Sequence, residues 1–308
     1  MRDHSRLDIG RIGDDGAERF LHIRFYGGQG LVECVTRGLV CGHARRLAGD
    51  RYHPSVSQTL LVLTPMKQSA AHLDRYFANL AGLEQDPANI SLGFLVSDST
   101  DGTLEALQAR LPELTAKYRR VTIIERDFEF EVPEGLRRWS ASIQAPRRIT
   151  LARSRNHLLF GALHDEDWVL WIDADVSAYP ADVVTQMLAT GKSILHPNCV
   201  VSPGGISFDG NAWRNQGKLK MDGMRGQRLV RLDGVGGTML LVYADIHRDG
   251  LVFPAYPYGL RSPHLRPRSD VNGRLGGELE TEGLALMAKD MGHEVWGMPD
   301  LEILHYPE

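Results

Sequence analysis

Two aspartates, Asp173 and Asp175, directly follow the apolar segment 168–172 near the middle of the chain. At the end of a buried strand, two carboxylates this close would repel each other and lose hydration. A divalent cation such as Mn²⁺ or Mg²⁺ would offset that cost, and its open positions bind diphosphate oxygens. The pattern therefore indicates a metal and diphosphate site. The alternative is a turn in which one aspartate caps the backbone and the other faces solvent.

A second polar segment, Ser-Asp-Ser-Thr-Asp-Gly-Thr at 97–103, follows another apolar run and opens a predicted helix. Asp98 could accept hydrogen bonds from a ribose or a base. The side-chain oxygen of Ser99, Thr100 or Asp101 would cap the helix. Capping explains the hydroxyl groups without requiring Asp98, so a nucleoside-binding role and a local structural role both stay open for that residue.

An arginine-rich stretch contains the pair at 147–148 and then Arg153, Arg155 and Asn156. If a helix covers 149–163, Arg153 and Asn156 are three residues apart and share a face, so both could reach one anionic group. The arginine fork suits phosphate oxygens better than a lysine does. The alternative is a solvated basic face. The predicted acidic metal site favours phosphate binding.

Two glutamates and a histidine complete the candidate residues. Glu280 and Glu282 alternate along the chain, and in an extended segment their side chains would point the same way. His305 follows the apolar stretch 301–304 and could offer a neutral imidazole to the cation. A lone histidine is more often structural, so the pattern alone leaves both roles open.

Apolar segments that alternate with helical periodicity must position these residues. Continuous apolar runs predict strands buried on both faces, and apolar residues at three- and four-residue steps predict the helices between them. This alternation predicts an α/β fold with a mainly parallel central sheet, in which ligands bind beyond the carboxyl ends of the strands. Strands are predicted at 59–64, 92–96, 121–124, 168–172, 193–196, 228–232 and 238–243, and helices at 69–85, 101–117, 149–163 and 282–291.

The composition is that of an ordinary globular protein. The 308 residues are 43% hydrophobic and 24% charged, which suits one catalytic domain at 56–308 after an extension of unknown role at 1–55. The 35 basic and 39 acidic residues give a net charge of −4, so nucleic acid is not an expected partner. Three cysteines without metal-ligand spacing, Cys34, Cys41 and Cys199, predict reduced thiols.

The hydropathy of the chain and its N-terminal residues indicate where in the cell we expect the protein. No apolar run is long enough to span a membrane, and the start Met-Arg-Asp-His-Ser lacks the apolar core of a signal peptide. We therefore expect a cytoplasmic protein without a membrane span. A homo-oligomer is compatible with the sequence, which carries no feature that decides it.

Six short motifs together resemble the fungal mannan polymerase mannosyltransferases, which form glycosyltransferase family 62. They occur in the family's order from about residue 58 to His305, and their joint agreement is more specific than any single motif. The motifs are Leu-Thr-Pro at 63–65, Leu-Val-Ser-Asp-Ser-Thr at 95–100, Ala-Arg-Ser-Arg-Asn at 152–156, Trp-Val-Leu-Trp-Ile-Asp-Ala-Asp at 168–175, Gly-Val-Gly-Gly-Thr at 234–238 and Glu-Thr-Glu-Gly at 280–283.

The resemblance implies a GT-A fold, which is Rossmann-like, and a glycosyltransferase that depends on Mn²⁺ or Mg²⁺. It implies transfer of mannose from GDP-mannose to a glycan or another hydroxyl acceptor, with retention of the α configuration. The implied metal ligands are Asp175 and His305. The implied donor contacts are Pro65, Asp98, Ser99, Arg153, Arg155, Asp173 and Ala174. The implied catalytic residues are Asp173, Arg153, Glu280 and Glu282.

Two alternatives to this function stay open. One is a GT-A transferase that uses another sugar nucleotide, such as UDP-glucose or GDP-glucose. The other is a non-catalytic module that binds a nucleotide or a glycan. The fungal members of the family carry an N-terminal membrane anchor and work in the Golgi lumen, whereas the N-terminal stretch of this sequence is polar, which agrees with the expected cytoplasmic location.

Overall fold

The computed structural model describes residues 6–11, 20–27, 30–37, 58–137, 140–215, 217–265 and 276–307. Its strands are β1 (Arg6–Arg11), β2 (Phe20–Gly27), β3 (Gly30–Arg37), β4 (Leu60–Met66), β5 (Ile90–Val96), β6 (Arg120–Glu125), β7 (Trp168–Ile172), β8 (Val176–Ala178), β9 (Ile194–Val200), β10 (Trp213–Arg214), β11 (Leu219–Lys220), β12 (Val230–Arg231), β13 (Met239–Tyr243) and β14 (Trp296–His305). Its α-helices are α1 (Leu73–Ala81), α2 (Thr103–Lys117), α3 (Ala141–Ala162), α4 (Val183–Leu188), α5 (Ala244–Arg248) and α6 (Glu280–Asp290).

Four parallel strands in the order β6-β5-β4-β7 form the centre of the sheet. The chain leaves β4 toward β5 on one side and later returns to β7 on the other, so the strand order reverses at β4. In open α/β sheets, ligands bind in the crevice at such a switch point. Leu63 of β4 lies opposite Trp171 of β7, which brings Pro65 and Asp173 to the same edge of the sheet.

Antiparallel strands extend the sheet beyond β7 and bring distant residues to that edge. β13 pairs with β7, and Met239 lies opposite Ile172, so the segment 234–238 just before β13 reaches the end of β7. β9 and β14 continue the sheet, and β14 pairs with β8 with His305 opposite Val176. The C-terminal strand therefore places His305 beside the residues that follow β7.

Helices cover both faces of the parallel strands. On one face, Val62 packs with Tyr76 of α1 and Leu107 of α2. On the other face, Leu63 packs with Leu158 of α3. All five side chains are at most 2% exposed, and burying one large apolar side chain stabilises a fold by about 1.5–3 kcal/mol. This two-sided core fixes the strand ends from which the functional side chains project.

The sheet confirms the predicted α/β fold with a mainly parallel central part, in the arrangement expected of a GT-A domain. All four predicted helix starts differ from the observed ones, and the differences in α3 and α6 affect site residues. α3 begins at Ala141 rather than at 149, because the helix continues through Pro146, which removes only one backbone donor. α6 begins at Glu280 rather than at 282. Both differences change which way site residues point.

The predicted N-terminal extension contributes strands to the sheet. β1, β2 and β3 form an antiparallel meander, and β3 pairs antiparallel with β6. The sheet thereby continues on the side of β6 that faces away from β5. A domain boundary at residue 55 stays a prediction.

Two predictions from composition can be compared with the structure. Cys199 is a buried free thiol, whereas Cys41 and the side chain of Cys34 lie outside the described residues. Among the described helices, none is both long and apolar enough to cross a bilayer.

Candidate active site

The end of β7 forms the base of the candidate site. The backbone N–H of Asp173 donates to the carbonyl oxygen of Thr238 at 3.0 Å, so the segment before β13 holds the turn that follows β7. Asp175 Oδ1 lies 3.1 Å from His305 Nε2, because β14 pairs with β8. Residues far apart in the sequence therefore meet at the carboxyl edge of the sheet.

A cavity of about 490 Å³ opens at this edge, which is within the range of small-molecule sites of about 300–1,000 Å³. Five of the predicted metal, donor and catalytic residues line it together. They are Arg155, Asp173, Asp175, Glu280 and His305. The other lining residues are Gln144, Arg147, Arg148, Leu151, Phe208, Asp209, Gly210, Asn211, Gly237 and Thr238.

Arg155 is a deeply buried cation in the cavity wall. Its side chain is 3% exposed, and its guanidinium carbon lies 5.6 Å from the ring centre of Trp171 and 5.5 Å from that of Phe253. Nη2 donates to Asp173 Oδ1 at 3.0 Å, and Nε lies 3.3 Å from Glu280 Oε1. Nη1 finds no hydrogen-bond partner among the described residues. Buried donors are ordinarily paired, so an anionic group in the cavity could supply the missing acceptor.

The charges around Asp173 change how readily it ionises. Burial raises the pKa of Asp173, and the carboxylates of Asp175, Asp209 and Glu280 raise it further, while Arg155 opposes them. Burial alone would lower the pKa of Arg155, but Asp173 and Glu280 outweigh it, so the guanidinium stays charged. A cation beside these carboxylates would favour their ionised forms.

His305 is oriented as a metal-binding histidine commonly is. Its Nδ1 donates to the carbonyl oxygen of Tyr306 at 2.6 Å, and its ring stacks on Phe208 with 3.8 Å between ring centres. Nε2 is left facing Asp175. Burial would lower the pKa of His305, but the hydrogen bond and charge of Asp175 raise it overall. Metal-binding histidines typically donate their second ring N–H to a carbonyl or carboxylate, so Asp175 and His305 fit a divalent cation.

Asp175 and His305 are two candidate metal ligands, and the described residues around them do not complete a coordination shell. Across the ranges that the structure describes, no group of three or more His, Cys, Asp or Glu side chains is arranged to hold a metal ion. The remaining positions around a cation would be left for a ligand with oxygen donors.

Glu280 and Glu282 lie in the first turn of α6, so the predicted extended arrangement is wrong. Glu280 lines the cavity, with Oε2 3.8 Å from Arg148 Nε. Its N–H donates to Pro254, and its φ of 51° is left-handed. Such strain costs a non-glycine residue about 1–3 kcal/mol and clusters at functional sites. Glu282 does not line the cavity, and its carboxylate accepts hydrogen bonds from Trp213 and pairs with Arg148.

Asp209 is a site residue that the sequence did not reveal. Its buried Oδ2 accepts from the N–H groups of Gly237 and Thr238, at 2.9 and 3.2 Å, and from the Thr238 hydroxyl at 3.0 Å. Burial would raise the pKa of Asp209, but His196 and these hydrogen bonds lower it overall. Asp209 comes from a stretch without apolar periodicity. The signal that could have found it is the glycine motif at 234–238, whose N–H groups need an acceptor.

The glycine motif also makes room for three site side chains. A Cβ on any of its glycines would collide with a functional group that packs directly against the backbone, so close approach explains the residue type. The colliding pairs would be Gly234 with the ring of Trp213, Gly236 with the carboxylate of Asp209, and Gly237 with the guanidinium of Arg155.

Five predicted donor contacts do not line this cavity. Pro65 and Asp98 lie at the carboxyl ends of β4 and β5, and Ala174 is buried between the two aspartates. The full set outside the cavity wall is Pro65, Asp98, Ser99, Arg153 and Ala174.

Asp98 fastens a loop rather than presenting a free carboxylate. Its oxygens accept from the backbone N–H groups of Phe128 and Glu129 at 3.2 and 2.9 Å. The hydroxyl oxygen of Ser99 accepts from the N–H of Gln68 at 3.0 Å. Both residues therefore shape the loops beyond β4 and β6, and the local structural role of Asp98 is present.

Arg153 and Asn156 do not reach one anionic group together, so that expectation is wrong. Arg153 is exposed, with its guanidinium carbon 5.3 Å from the ring centre of Phe128. The Asn156 amide instead exchanges hydrogen bonds with the backbone of Phe253. Residues two apart on a helix point to nearly opposite sides, so Arg155 enters the cavity and Arg153 does not.

Known proteins are similar in sequence to this chain over most of its length. Residues 45–223 and 218–257 match the model of the Anp1 family, which is more than half of the chain. The chain belongs to the Anp1 family. It is 29% identical over 299 residues to the mannan polymerase complex subunit MNN9 of Candida albicans, covering 82% of this chain and 75% of that protein. It is 28% identical to the mannan polymerase complex subunit mnn9 of Schizosaccharomyces pombe, covering 82% and 81%.

Solved structures give more distant matches. The mannosyltransferase PcManGT from Pyrobaculum calidifontis, in complex with GDP-Man and Mn²⁺, matches with a TM-score of 0.48 and 15% identity. That match covers 83% of this chain and 59% of the solved one, so the Anp1 chain spans about three-fifths of its length. Staphylococcus aureus TarS in complex with UDP-GlcNAc matches with a TM-score of 0.47 and 13% identity, covering 82% and 59%.

Family membership confirms the predicted resemblance to mannan polymerase proteins and the prediction that the chain is a glycosyltransferase-type enzyme. The number 62 for the family stays a prediction. The donor, the metal and the individual roles of the site residues also stay predictions.

Proposed function

We propose that this chain is a metal-dependent mannosyltransferase that transfers mannose from GDP-mannose to a hydroxyl group of a glycan or another acceptor, with retention of the α configuration. The observation that carries the proposal is the meeting of Asp173, Asp175, His305 and the buried Arg155 in one cavity. A cation and a fixed arginine suit the departure of a diphosphate. The names of the relatives, mannan polymerase complex subunits, support mannose as the transferred sugar.

Asp175 and His305 are the residues that would hold Mn²⁺ or Mg²⁺. Their Oδ1 and Nε2 atoms face each other at 3.1 Å, and Tyr306 already accepts the other ring N–H of His305. When bound, the cation supplies positive charge that stabilises the diphosphate as it leaves.

Arg155 and its partners would bind the reacting end of the donor. Nη1 of Arg155 would donate to a phosphate oxygen, because it is the terminal nitrogen without a described partner. Asp173, held by Arg155 at 3.0 Å, would accept a hydrogen bond from a donor hydroxyl. Glu280, strained and buried beside both Arg148 and Arg155, would accept from a hydroxyl of the donor sugar or of the acceptor.

The nucleoside would lie at the switch point, beside the carboxyl ends of β4 and β5. Pro65 lies next to the last residue of β4 there, and Ala174 follows the end of the neighbouring strand β7. Asp98 and Ser99 would contribute by shaping the adjoining loops, since their oxygens already accept backbone N–H groups. Arg153, above Phe128, would border this region.

A transfer with retention requires the acceptor hydroxyl to attack from the face that the nucleotide leaves. The new bond forms between the acceptor oxygen and the anomeric carbon, while the bond from that carbon to the diphosphate oxygen breaks. An oxygen of the departing diphosphate would take the proton of the acceptor hydroxyl. Charge stabilisation of the leaving group would then be the main catalytic contribution.

A donor panel with product analysis tests the proposed function. The chain would be incubated with Mn²⁺, α-methyl mannoside and one of GDP-mannose, GDP-glucose or UDP-glucose, followed by measurement of released nucleotide and NMR of the product. We expect GDP release from GDP-mannose and an α-linked disaccharide, both lost in Asp175→Ala. Preference for another nucleotide sugar would favour the alternative donor. GDP binding without turnover of any donor would favour a non-catalytic module.

A further inference from the structure

The cavity extends along α3. Gln144, Arg148, Leu151 and Arg155 line it from successive turns of this helix. With about 1.5 Å of rise per residue, Arg148 lies about 10 Å and Gln144 about 16 Å along the axis from Arg155. The residues at the ends of β4 and β5 do not line this part of the cavity, so it is separate from the region where we place the nucleoside.

Arg148 is held in one orientation in this part of the cavity wall. Its Nη1 lies 2.9 Å from Glu282 Oε2, its Nη2 donates to the carbonyl oxygen of Leu279, and its Nε lies 3.8 Å from Glu280. The side chain is 19% exposed, so one part of it still faces the cavity. A guanidinium fixed in this way loses little conformational entropy when it binds a ligand.

Trp213 supports Arg148 through Glu282. The indole Nε1–H donates to Glu282 Oε1 at 2.6 Å, so both carboxylate oxygens of Glu282 have partners. Trp213 is 6% exposed, and its ring packs against the backbone at Gly234, where a Cβ would collide with it. Neither Trp213 nor Glu282 lines the cavity, and Glu282 would act on a bound molecule through Arg148.

We propose that Trp213 and Glu282 are positioning residues that fix Arg148 in the acceptor-binding wall of the cavity. This inference rests on the proposed function and adds where the acceptor binds. Arg148 donates hydrogen bonds to oxygens of a hydroxyl-rich acceptor such as a sugar. Loss of the indole N–H leaves Glu282 Oε1 without its donor in a buried site, which is costly enough to shift the carboxylate and the arginine with it. Acceptor affinity therefore depends on Trp213, whereas nucleotide affinity does not.

Trp213→Phe tests the inference because it removes the indole N–H and keeps an aromatic ring. The probes are α-methyl mannoside as the acceptor, with saturating GDP-mannose and Mn²⁺, and GDP with Mn²⁺ for direct binding. We expect the KM for α-methyl mannoside to rise about tenfold. Loss of one hydrogen bond from Arg148 to the acceptor, worth about 1.4 kcal/mol, would cause a change of this size. The Kd of GDP should stay within about twofold of the wild-type value.

Trp168→Phe is the matched control. Trp168 is also 6% exposed, but it begins β7 at the opposite end from Asp173. We expect its acceptor KM and GDP affinity to match those of the wild type. An unchanged acceptor KM in Trp213→Phe, or a parallel loss of GDP affinity, would overturn the inference.

Wild-type turnover separates this inference from the proposed function. If the wild type turns over a different nucleotide sugar, that sugar replaces GDP-mannose in the same comparison and the expected result is unchanged. No turnover with any donor would contradict both proposals. An active wild type with an unaltered Trp213→Phe variant would contradict the inference alone.

Discussion

At the scale of single residues, two arginines separated by one serine have different surroundings. Arg155 is 3% exposed and paired with Asp173 and Glu280, whereas Arg153 is exposed above Phe128. The family resemblance implied both as donor contacts, whereas the sequence itself shows only residue type and spacing. It does not show which side of α3 faces the cavity until the helix start and its packing are known.

Substitution of each arginine by glutamine tests this difference. Arg155→Gln leaves the buried Glu280 and the partly buried Asp173 without their cation, so we expect the free energy of unfolding in urea to be about 3–5 kcal/mol lower than in the wild type. Arg153→Gln should change the free energy of unfolding by no more than about 0.5 kcal/mol. Equal losses in the two variants would show that the burial assigned to Arg155 is incorrect.

The residues that the sequence did reveal have recognisable chemistry at strand ends. Asp173 and Asp175 follow an apolar run, and the motif at 280–283 is acidic in a polar stretch. Asp209 and Trp213 lie between 201 and 229, where no period marks which residues are buried. Their roles depend on hydrogen bonds to segments far along the chain, and those contacts form only in the folded protein.

At the scale of elements, the segment 234–238 connects the cavity to the sheet. Its carbonyl at Thr238 holds Asp173, and its N–H groups bind Asp209. Side chains pack directly on its glycines, so the segment has no room for a methyl group. The sequence shows the motif, but the reason for each glycine lies in another element.

Gly237→Ala measures this close packing. The new Cβ would collide with the Arg155 guanidinium, so we expect a loss of about 1–3 kcal/mol in the free energy of unfolding, as overpacking causes. Gly210→Ala is the control, because a Cβ there would meet no described atom within 4 Å. The comparison is made by melting temperature, and a Gly237→Ala variant as stable as Gly210→Ala would contradict the packing.

A buried histidine in α5 makes stability depend on pH. His247 is 4% exposed, its Nδ1 donates to the Leu251 carbonyl oxygen at 2.7 Å, and its Nε2 finds no hydrogen-bond partner in the described part of the chain. Burial lowers the pKa of His247 from 6.5 to about 4. The unfolded chain therefore binds a proton between pH 6.5 and 4 that the folded chain does not.

Because the unfolded chain binds the additional proton, the folded state becomes less stable as the pH falls. The contribution of His247 to stability is complete above about pH 6.5 and is lost as the pH falls toward 4, by about 3 kcal/mol in all. Urea unfolding at several pH values measures it. His247→Asn keeps an amide donor near Nδ1 but cannot titrate, so its stability should fall less steeply over this range. Parallel pH profiles for the two proteins would show that His247 does not cause the dependence.

At the scale of the whole molecule, the sheet brings together segments from the middle and the end of the chain. The parallel strands and their ends could be predicted from apolar runs. The strand at 238–243, which is β13, was predicted as well. The antiparallel pairings of β13 and β14, which bring Thr238 and His305 to Asp173 and Asp175, could not be predicted, because short apolar segments carry no information about their partners. The strands β1–β3 lie in the stretch that was predicted only as an extension of unknown role, since its sequence has weak periodicity.

In the proposed site, Asp175 helps to bind a cation that in turn binds a guanine nucleotide. Thermal shift measures this most directly, with GDP, UDP, ADP or CDP, each with Mn²⁺ or with EDTA, for the wild type and Asp175→Ala. At about 100 times the Kd, a ligand adds about 2.7 kcal/mol of stability and raises the melting temperature by several degrees. We predict stabilisation by GDP that requires both Mn²⁺ and Asp175. Stabilisation by GDP that persists in EDTA or in Asp175→Ala, or no response to any nucleotide, would contradict the claim.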